Sequence, residues 1–141
     1  AYGADAFGHV MDENIRQAHR LADAVDAHPD LERLAPVGCD VVCLRYAPAG
    51  TPASVLDPLN HELVLRIQES GIAVVTDTVL NGTVAVRVAI ANHRTRDADL
   101  DAFLDALLDL GAATVADLEP GAVTTSPGAS PSEGGTATVR P

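Results

Sequence analysis

Apolar residues early in the chain recur at spacings of three and four: Phe7, Val10, Met11, Ile15, Ala18, Leu21, Ala22 and Val25. That period predicts a long amphipathic helix over residues 4–27, opened by Gly3 and stopped by His28-Pro29. Its polar side carries Asp12, Glu13, Arg16, Arg20 and Asp23, with Asp12 and Arg16 a favourable i,i+4 pair. A short segment over 31–36 reads as a strand ended by Pro36. Between Gly38 and Pro48 the pattern changes to alternation, which predicts a strand over 39–46 with Cys39, Val41, Cys43 and Arg45 on one face and Val42, Leu44 and Tyr46 on the other.

Asp57-Pro58 reads as an N-cap followed by proline at the first helical position, where its missing N–H costs nothing. Leu56, Leu59, Leu63, Arg66 and Ile67 then form the buried stripe of a second helix, with Gly71 its left-handed stop. Residues 72–80 and 83–91 predict two antiparallel strands joined by Asn81-Gly82, a dipeptide suited to a turn that needs positive φ at both positions. A last helix, capped by Thr95 or Asp97, buries Leu100, Phe103, Leu104, Leu107 and Leu108 and ends at Gly111. The order helix, strand, helix, strand, strand, helix, with a short strand after the first helix, predicts an α+β fold: a small, mainly antiparallel sheet with helices on one face. Beyond residue 111 the text is rich in Ala, Gly, Pro, Ser and Thr, too poor in bulky apolar groups to offset its ordering entropy. The expected organisation is a domain over 1–111, with 1–28 its leading helix, and a disordered tail over 112–141.

The strand TVAVRVAIANHRT, residues 83–95, contains a cation in an otherwise apolar run. Alternation puts Val84, Val86, Val88 and Ile90 on one side and Ala85, Arg87, Ala89 and Ala91 on the other. A guanidinium on that shallow face must reach water, an internal carboxylate or an anionic ligand, because leaving it buried and unpaired costs several kcal/mol. The planar fork of donors suits a carboxylate, and the alanine floor leaves room for a small ligand. Pairing with one of the twenty Asp and Glu residues explains it equally well.

Composition narrows the remaining chemistry. The 141 residues fit one domain, and the nine basic residues (16, 20, 33, 45, 66, 87, 94, 96 and 140) are all arginines, so the chain contains no lysine for a Schiff base or a phosphate loop. A net charge of −11 with scattered arginines opposes nucleic-acid and anionic-membrane binding. No apolar run reaches the ~20 residues of a membrane span and no secretory leader opens the chain, which points to a soluble cytoplasmic protein. Cys39 and Cys43, about 13 Å apart along one strand, read as two buried free thiols rather than a disulfide or a metal pair. The five histidines, at 9, 19, 28, 61 and 93, have no zinc-like spacing, and no serine sits in a hydrolase elbow. Asp99, Asp101, Asp105 and Asp109 read as a solvated helix face rather than a metal site. The start at Ala1, without an initiator Met, points to a fragment or trimmed product.

Taken in order, HPDLERLAP (28–36), VVCLRY (41–46), LDPLN (56–60) and VRVAIAN (86–92), with Arg94-Thr95, resemble the carboxy-terminal small domain of the pyridoxal-phosphate-dependent group II amino-acid decarboxylases. The resemblance runs to about Gly111. It implies a fold-type-I subunit in a homodimer, whose upstream large domain supplies the cofactor lysine, the pyridine-nitrogen aspartate and the phosphate loop, while the small domain closes the cleft over the amino-acid substrate and cannot act alone. It further implies that Arg87 lies toward that cleft, where the matching arginine of some family members holds the substrate carboxylate; direct binding, orientation of the carboxylate and domain closure are all roles the resemblance allows. Leu44 stands where the family often has an aromatic residue, which leaves the substrate side chain open. A different fold-type-I enzyme such as an aminotransferase, and a free-standing acidic interaction module with Arg87 paired internally, are the competing expectations.

Overall fold

The computed structural model describes residues 2–119. Helix α1 (Tyr2–Ala27) leads into strands β1 (Leu31–Arg33) and β2 (Val41–Tyr46), then helix α2 (Ala53–Ser70), the hairpin strands β3 (Val75–Leu80) and β4 (Thr83–Ala89), and helix α3 (Asp97–Leu118). The four strands form one wholly antiparallel sheet in the order β1-β2-β4-β3. The α+β expectation is met.

One sheet face carries the core. Val42, Leu44 and Tyr46 of β2 and Val86 and Val88 of β4 are buried there, against Ala18, Leu21, Ala22 and Val25 of α1 and Leu59, Leu63, Val64 and Ile67 of α2. Helix α3 completes the layer with Leu100, Phe103 and Leu107. Alternation produces this division in β2, whose residues are by turns half-buried and buried along its length. The hairpin turn forms as its chemistry requires, with φ of 50° at Asn81 and 77° at Gly82.

Several boundaries differ from expectation, each for an identifiable reason. Helix α2 begins at Ala53 behind Pro52, so Asp57 is not its N-cap and Pro58 lies inside the helix. The Asp57 carboxylate instead accepts the N–H of Val84 at 3.1 Å, tying α2 to β4. Gly71 is the left-handed stop, at φ 71°. Arg66 leaves the predicted stripe for Glu62 and Asp117, at 3.1 and 2.8 Å, and the stripe takes up Asn60 and Val64.

Gly111 does not end α3. The helix runs through it to Leu118, so residues 112–118, assigned to the tail from sequence, are helical. Gly111 serves packing: a Cβ there would meet three atoms of the Tyr46 ring at 2.8 to 3.0 Å. Residues 120–141 of the expected tail lie outside the described residues. Helix α3 starts behind Arg96, whose N–H is accepted by the Asp99 carboxylate at 2.8 Å, and neither Thr95 nor Asp97 is the cap.

Among the described residues of the predicted α1 stripe, the buried ones lie toward its C-terminal half, and Met11 is exposed. Two polar residues enter the buried side instead, Asn14 and Gln17. The Gln17 amide donates to the Thr95 carbonyl at 2.6 Å and so fastens α1 to the turn between β4 and α3. Arg16 with Asp97, at 2.8 Å, and Arg20 with Asp101, at 3.2 Å, add exposed ion pairs along the same seam.

Candidate functional site

The sheet face opposite the helices is where the one sequence-predicted site residue lies. Arg87, in the interior strand β4, is flanked in register by Cys43 of β2 and Thr76 of β3. Two pairs further along, on the same face, Val41 faces Ala89. Arg87 and Ala89 are both exposed, whereas Val86 and Val88 between and beside them are buried, as the alternation demands.

Among the described residues Arg87 stands apart from most arginines in having no carboxylate neighbour. Arg16, Arg20, Arg33, Arg45, Arg66 and Arg96 each lie within 4.0 Å of an Asp or Glu oxygen. Among the described residues only Arg87 and Arg94 do not, and Arg94 belongs to the exposed turn after β4. Arg45, on the same sheet face as Arg87, is held by Glu32 of β1 at 2.7 Å. The geometry therefore leaves one uncommitted guanidinium in the body of that sheet face.

Its neighbour Cys43 responds to two opposed influences. Burial pushes the thiol up from its ordinary value, and the positive charge of Arg87 pulls it back in part. Cys39, expected on the same strand, lies instead in the turn before β2 with φ 52° and is exposed, while Cys43 is half-buried. Both thiols are free, as expected, but the expectation that they are buried does not hold.

Two residues along β4 from Arg87, about 7 Å at ~3.3 Å per residue, Ala89 enters the lining of a groove of about 310 Å³. Val74, Asn92, Thr95, Asp99 and Phe103 are among its other walls. Val74 is 90% exposed and Ile72 51%, so apolar surface continues from this groove to the edge of the sheet. The groove is mainly apolar with three polar groups at one end, the N-terminus of α3.

The other chemistry-bearing residues do not converge on Arg87. His61 pairs with Asp77 at 2.9 Å on the helix side, and the His28 ring accepts the Asp30 N–H at 3.1 Å. No group of three or more metal-ligating side chains exists among the described residues. Nor is any described helix long and apolar enough to cross a membrane.

Sequence reasoning missed Asn60. This fully buried amide accepts the N–H of Tyr46 at 2.8 Å and donates to the carbonyls of Tyr46 and Leu56 at 2.9 and 2.8 Å. It holds the end of β2 on α2. The available signal was an asparagine directly after Leu59, one residue from the predicted stripe.

No protein-family model matches the chain. Among curated proteins it is 27% identical over 95 residues to the aromatic-L-amino-acid decarboxylase of Bacillus atrophaeus, covering 67% of this chain and 20% of that protein. It is 26% identical over 107 residues to the L-2,4-diaminobutyrate decarboxylase of Rhizobium meliloti, covering 76% and 21%. Among solved structures, the glutamate decarboxylase domain of a Vibrio parahaemolyticus protein aligns with a TM-score of 0.70 and 27% identity over 77% of this chain and 23% of that one. The Oryza sativa protein solved as TDC with PLP aligns with a TM-score of 0.72 over 79% and 24%, and at 21% identity it supports the fold alone.

The chain thus spans about a fifth of the length of the curated relatives it matches. The sequence contains no lysine, the side chain that forms the Schiff base with pyridoxal phosphate. In sequence and in fold, the chain is similar to one portion of pyridoxal-phosphate-dependent group II amino-acid decarboxylases.

Proposed function

We propose that this chain is the carboxy-terminal small domain of an amino-acid decarboxylase, that it closes the active-site cleft, and that Arg87 orients the carboxylate of the amino-acid substrate. In this reading the cofactor is held by an upstream large domain, the working unit is a homodimer, and the compartment is the reducing cytoplasm. The observation that carries the role of Arg87 is its exposure, without a carboxylate partner among the described residues, on the sheet face opposite the described helices. Six other arginines of the same chain are committed to ion pairs, so an uncommitted one in the middle of a sheet is a resource for a ligand. Its planar donors can take both oxygens of a carboxylate at once. Cys43, Thr76 and Ala89 around it are small and bear no charge, which leaves the approach open and the field of the guanidinium unopposed.

Orientation, rather than tight binding, is the contribution that helps a decarboxylase. Holding the departing carboxylate too firmly would stabilise the ground state along with the transition state and gain nothing in turnover. Fixing its plane removes rotational freedom before the bond breaks.

The test uses the polypeptide with its upstream portion restored. Arg87→Ala is expected to lower kcat/KM for carbon dioxide release by about 10- to 100-fold, the loss of one charge-assisted contact of about 1.5–3 kcal/mol. Arg87→Lys, which keeps charge and loses the fork, recovers part of it. The 141-residue chain alone, mixed with cofactor, is expected to release no carbon dioxide. Unchanged turnover and substrate affinity in Arg87→Ala would remove Arg87 from the site.

A further inference from the structure

We propose that Asn81-Gly82, at the tip of the β3–β4 hairpin, is a site of spontaneous covalent modification, at which the asparagine deamidates to a mixture of aspartate and isoaspartate. The reaction needs an asparagine side chain free to swing onto the backbone nitrogen of the next residue, and a next residue that does not obstruct it. Both conditions meet here. Asn81 is exposed, and its side-chain amide makes no hydrogen bond among the described residues. The following residue is glycine, and nothing lies within 4 Å of where a Cβ at position 82 would be.

The other asparagines of the chain provide the contrast. Asn14 and Asn60 are buried and precede Ile15 and His61. Asn60 is further locked by three hydrogen bonds. Asn92 precedes His93, and its side-chain oxygen is engaged by the Arg94 N–H at 2.9 Å.

The chemistry balances without an oxidant or reductant. The Gly82 backbone nitrogen bonds to Cγ of Asn81 and gives up its proton. The bond from Cγ to the side-chain nitrogen breaks, and ammonia leaves with that proton. A five-membered succinimide ring remains. One water then opens the ring at either carbonyl. Opening at Cγ gives aspartate in an ordinary backbone; opening at the α-carbonyl carbon routes the backbone through the side chain and gives isoaspartate. Water enters, ammonia leaves, and the chain gains one negative charge.

The position gives the product a structural effect. Leu80 and Thr83 are paired directly across the two-residue turn. Isoaspartate adds a backbone carbon to that turn, which its closed geometry cannot absorb without shifting the ladder. Among the described residues β3 is an edge strand paired only with β4, so loosening the turn loosens the row Thr76–Arg87 as well.

The experiment ages the full 141-residue chain in mildly alkaline buffer at physiological temperature. Peptide mapping by mass spectrometry, with isoaspartyl methyltransferase labelling, follows all four asparagines. Residue 81 is expected to lose its amide about tenfold faster than Asn14, Asn60 or Asn92, because only it precedes a residue without a Cβ, and to take the label. In the aged sample, amides of β3 are expected to exchange faster than in Asn81→Gln aged in parallel, where ring closure is disfavoured. Retention of the amide at residue 81 on a par with Asn60 overturns the proposal. So does an isoaspartate-rich sample whose hairpin exchanges no faster than the fresh chain.

Discussion

Replacing Gly111 with alanine tests the packing of α3 by the sign of its effect. In a helix interior that change ordinarily stabilises by about 1 kcal/mol, since glycine has the greater backbone freedom to lose. At position 111 the new Cβ would lie 2.8, 2.9 and 3.0 Å from Cδ1, Cε1 and Cγ of Tyr46. Carbon atoms in contact rest at about 3.5–4.0 Å, so the ring or the helix must move by roughly half an ångström or more. Neither has room to do so. Tyr46 is only 5% exposed, and Asn60 holds both the N–H and the carbonyl of its backbone. Overpacking of this kind costs about 1–3 kcal/mol, which outweighs the helix-propensity gain and leaves Gly111→Ala less stable by about 1 kcal/mol. With a urea dependence of about 2 kcal/mol per M, the unfolding midpoint should fall by about 0.5 M. Gly8→Ala in α1 is the control, because its Cβ would meet nothing within 4 Å; its midpoint should hold or rise. In a Tyr46→Leu background the cost at 111 should shrink, giving a coupling between the two positions. If Gly111→Ala raised the midpoint as Gly8→Ala does, the reading of this contact would be wrong.

Asn60→Ala should destabilise by about 2–4 kcal/mol in the same urea assay, since it leaves the buried N–H and carbonyl of Tyr46 without their partner; a loss below about 0.5 kcal/mol would contradict that account. Asp97 should titrate below the ordinary carboxylate range, chiefly through its hydrogen bond from Arg16. A depressed carboxylate lends stability that is present above its unfolded pKa and lost as pH falls through the folded one. NMR titration of Arg16→Ala should bring Asp97 back up, and an unmoved Asp97 would refute the assignment. Cys43, raised by burial and partly restrained by Arg87, should react with iodoacetamide more slowly than exposed Cys39. Arg87→Ala should slow Cys43 further at a given pH, and an unchanged pH profile would place Arg87 away from that thiol.

The hairpin was the most legible part of the fold, because Asn81-Gly82 and the alternation of β4 specify the turn and both faces locally. The face on which Arg87 lies followed from the same alternation; its exposure did not. What sequence could not distinguish was the purpose of residues with two plausible uses. Gly71 and Gly111 look alike in text, yet one supplies a left-handed stop and the other makes room for an aromatic ring contributed by a strand 65 residues earlier. Asp57-Pro58 carries the local signature of a helix start, but Asp57 spends its carboxylate on Val84, a contact visible only once β4 is in place. Asn14, Gln17 and Asn60 break the apolar pattern for the same reason: each is buried where a neighbouring element packs, and the bonds of Gln17 and Asn60 reach backbone groups of elements distant in sequence. For the candidate site, the absence of a carboxylate partner for Arg87 among the described residues depends on where those carboxylates fall in space, which no spacing rule reports.

The place of Arg87 within β4 has a consequence for folding that is independent of any ligand. β4 must find β2 across α2 and β3, and its valines and alanines are similar enough for several pairings to be nearly equivalent. A slip of one residue turns every side chain of a strand to the opposite face. In β4 such a slip would carry the guanidinium onto the core face that the helices cover and turn Val86 and Val88 to the opposite face. Burying that charge without a partner costs several kcal/mol, far more than the small differences among apolar pairings. Arg87 therefore acts as a register key for the central strand, penalising misaligned sheets during folding.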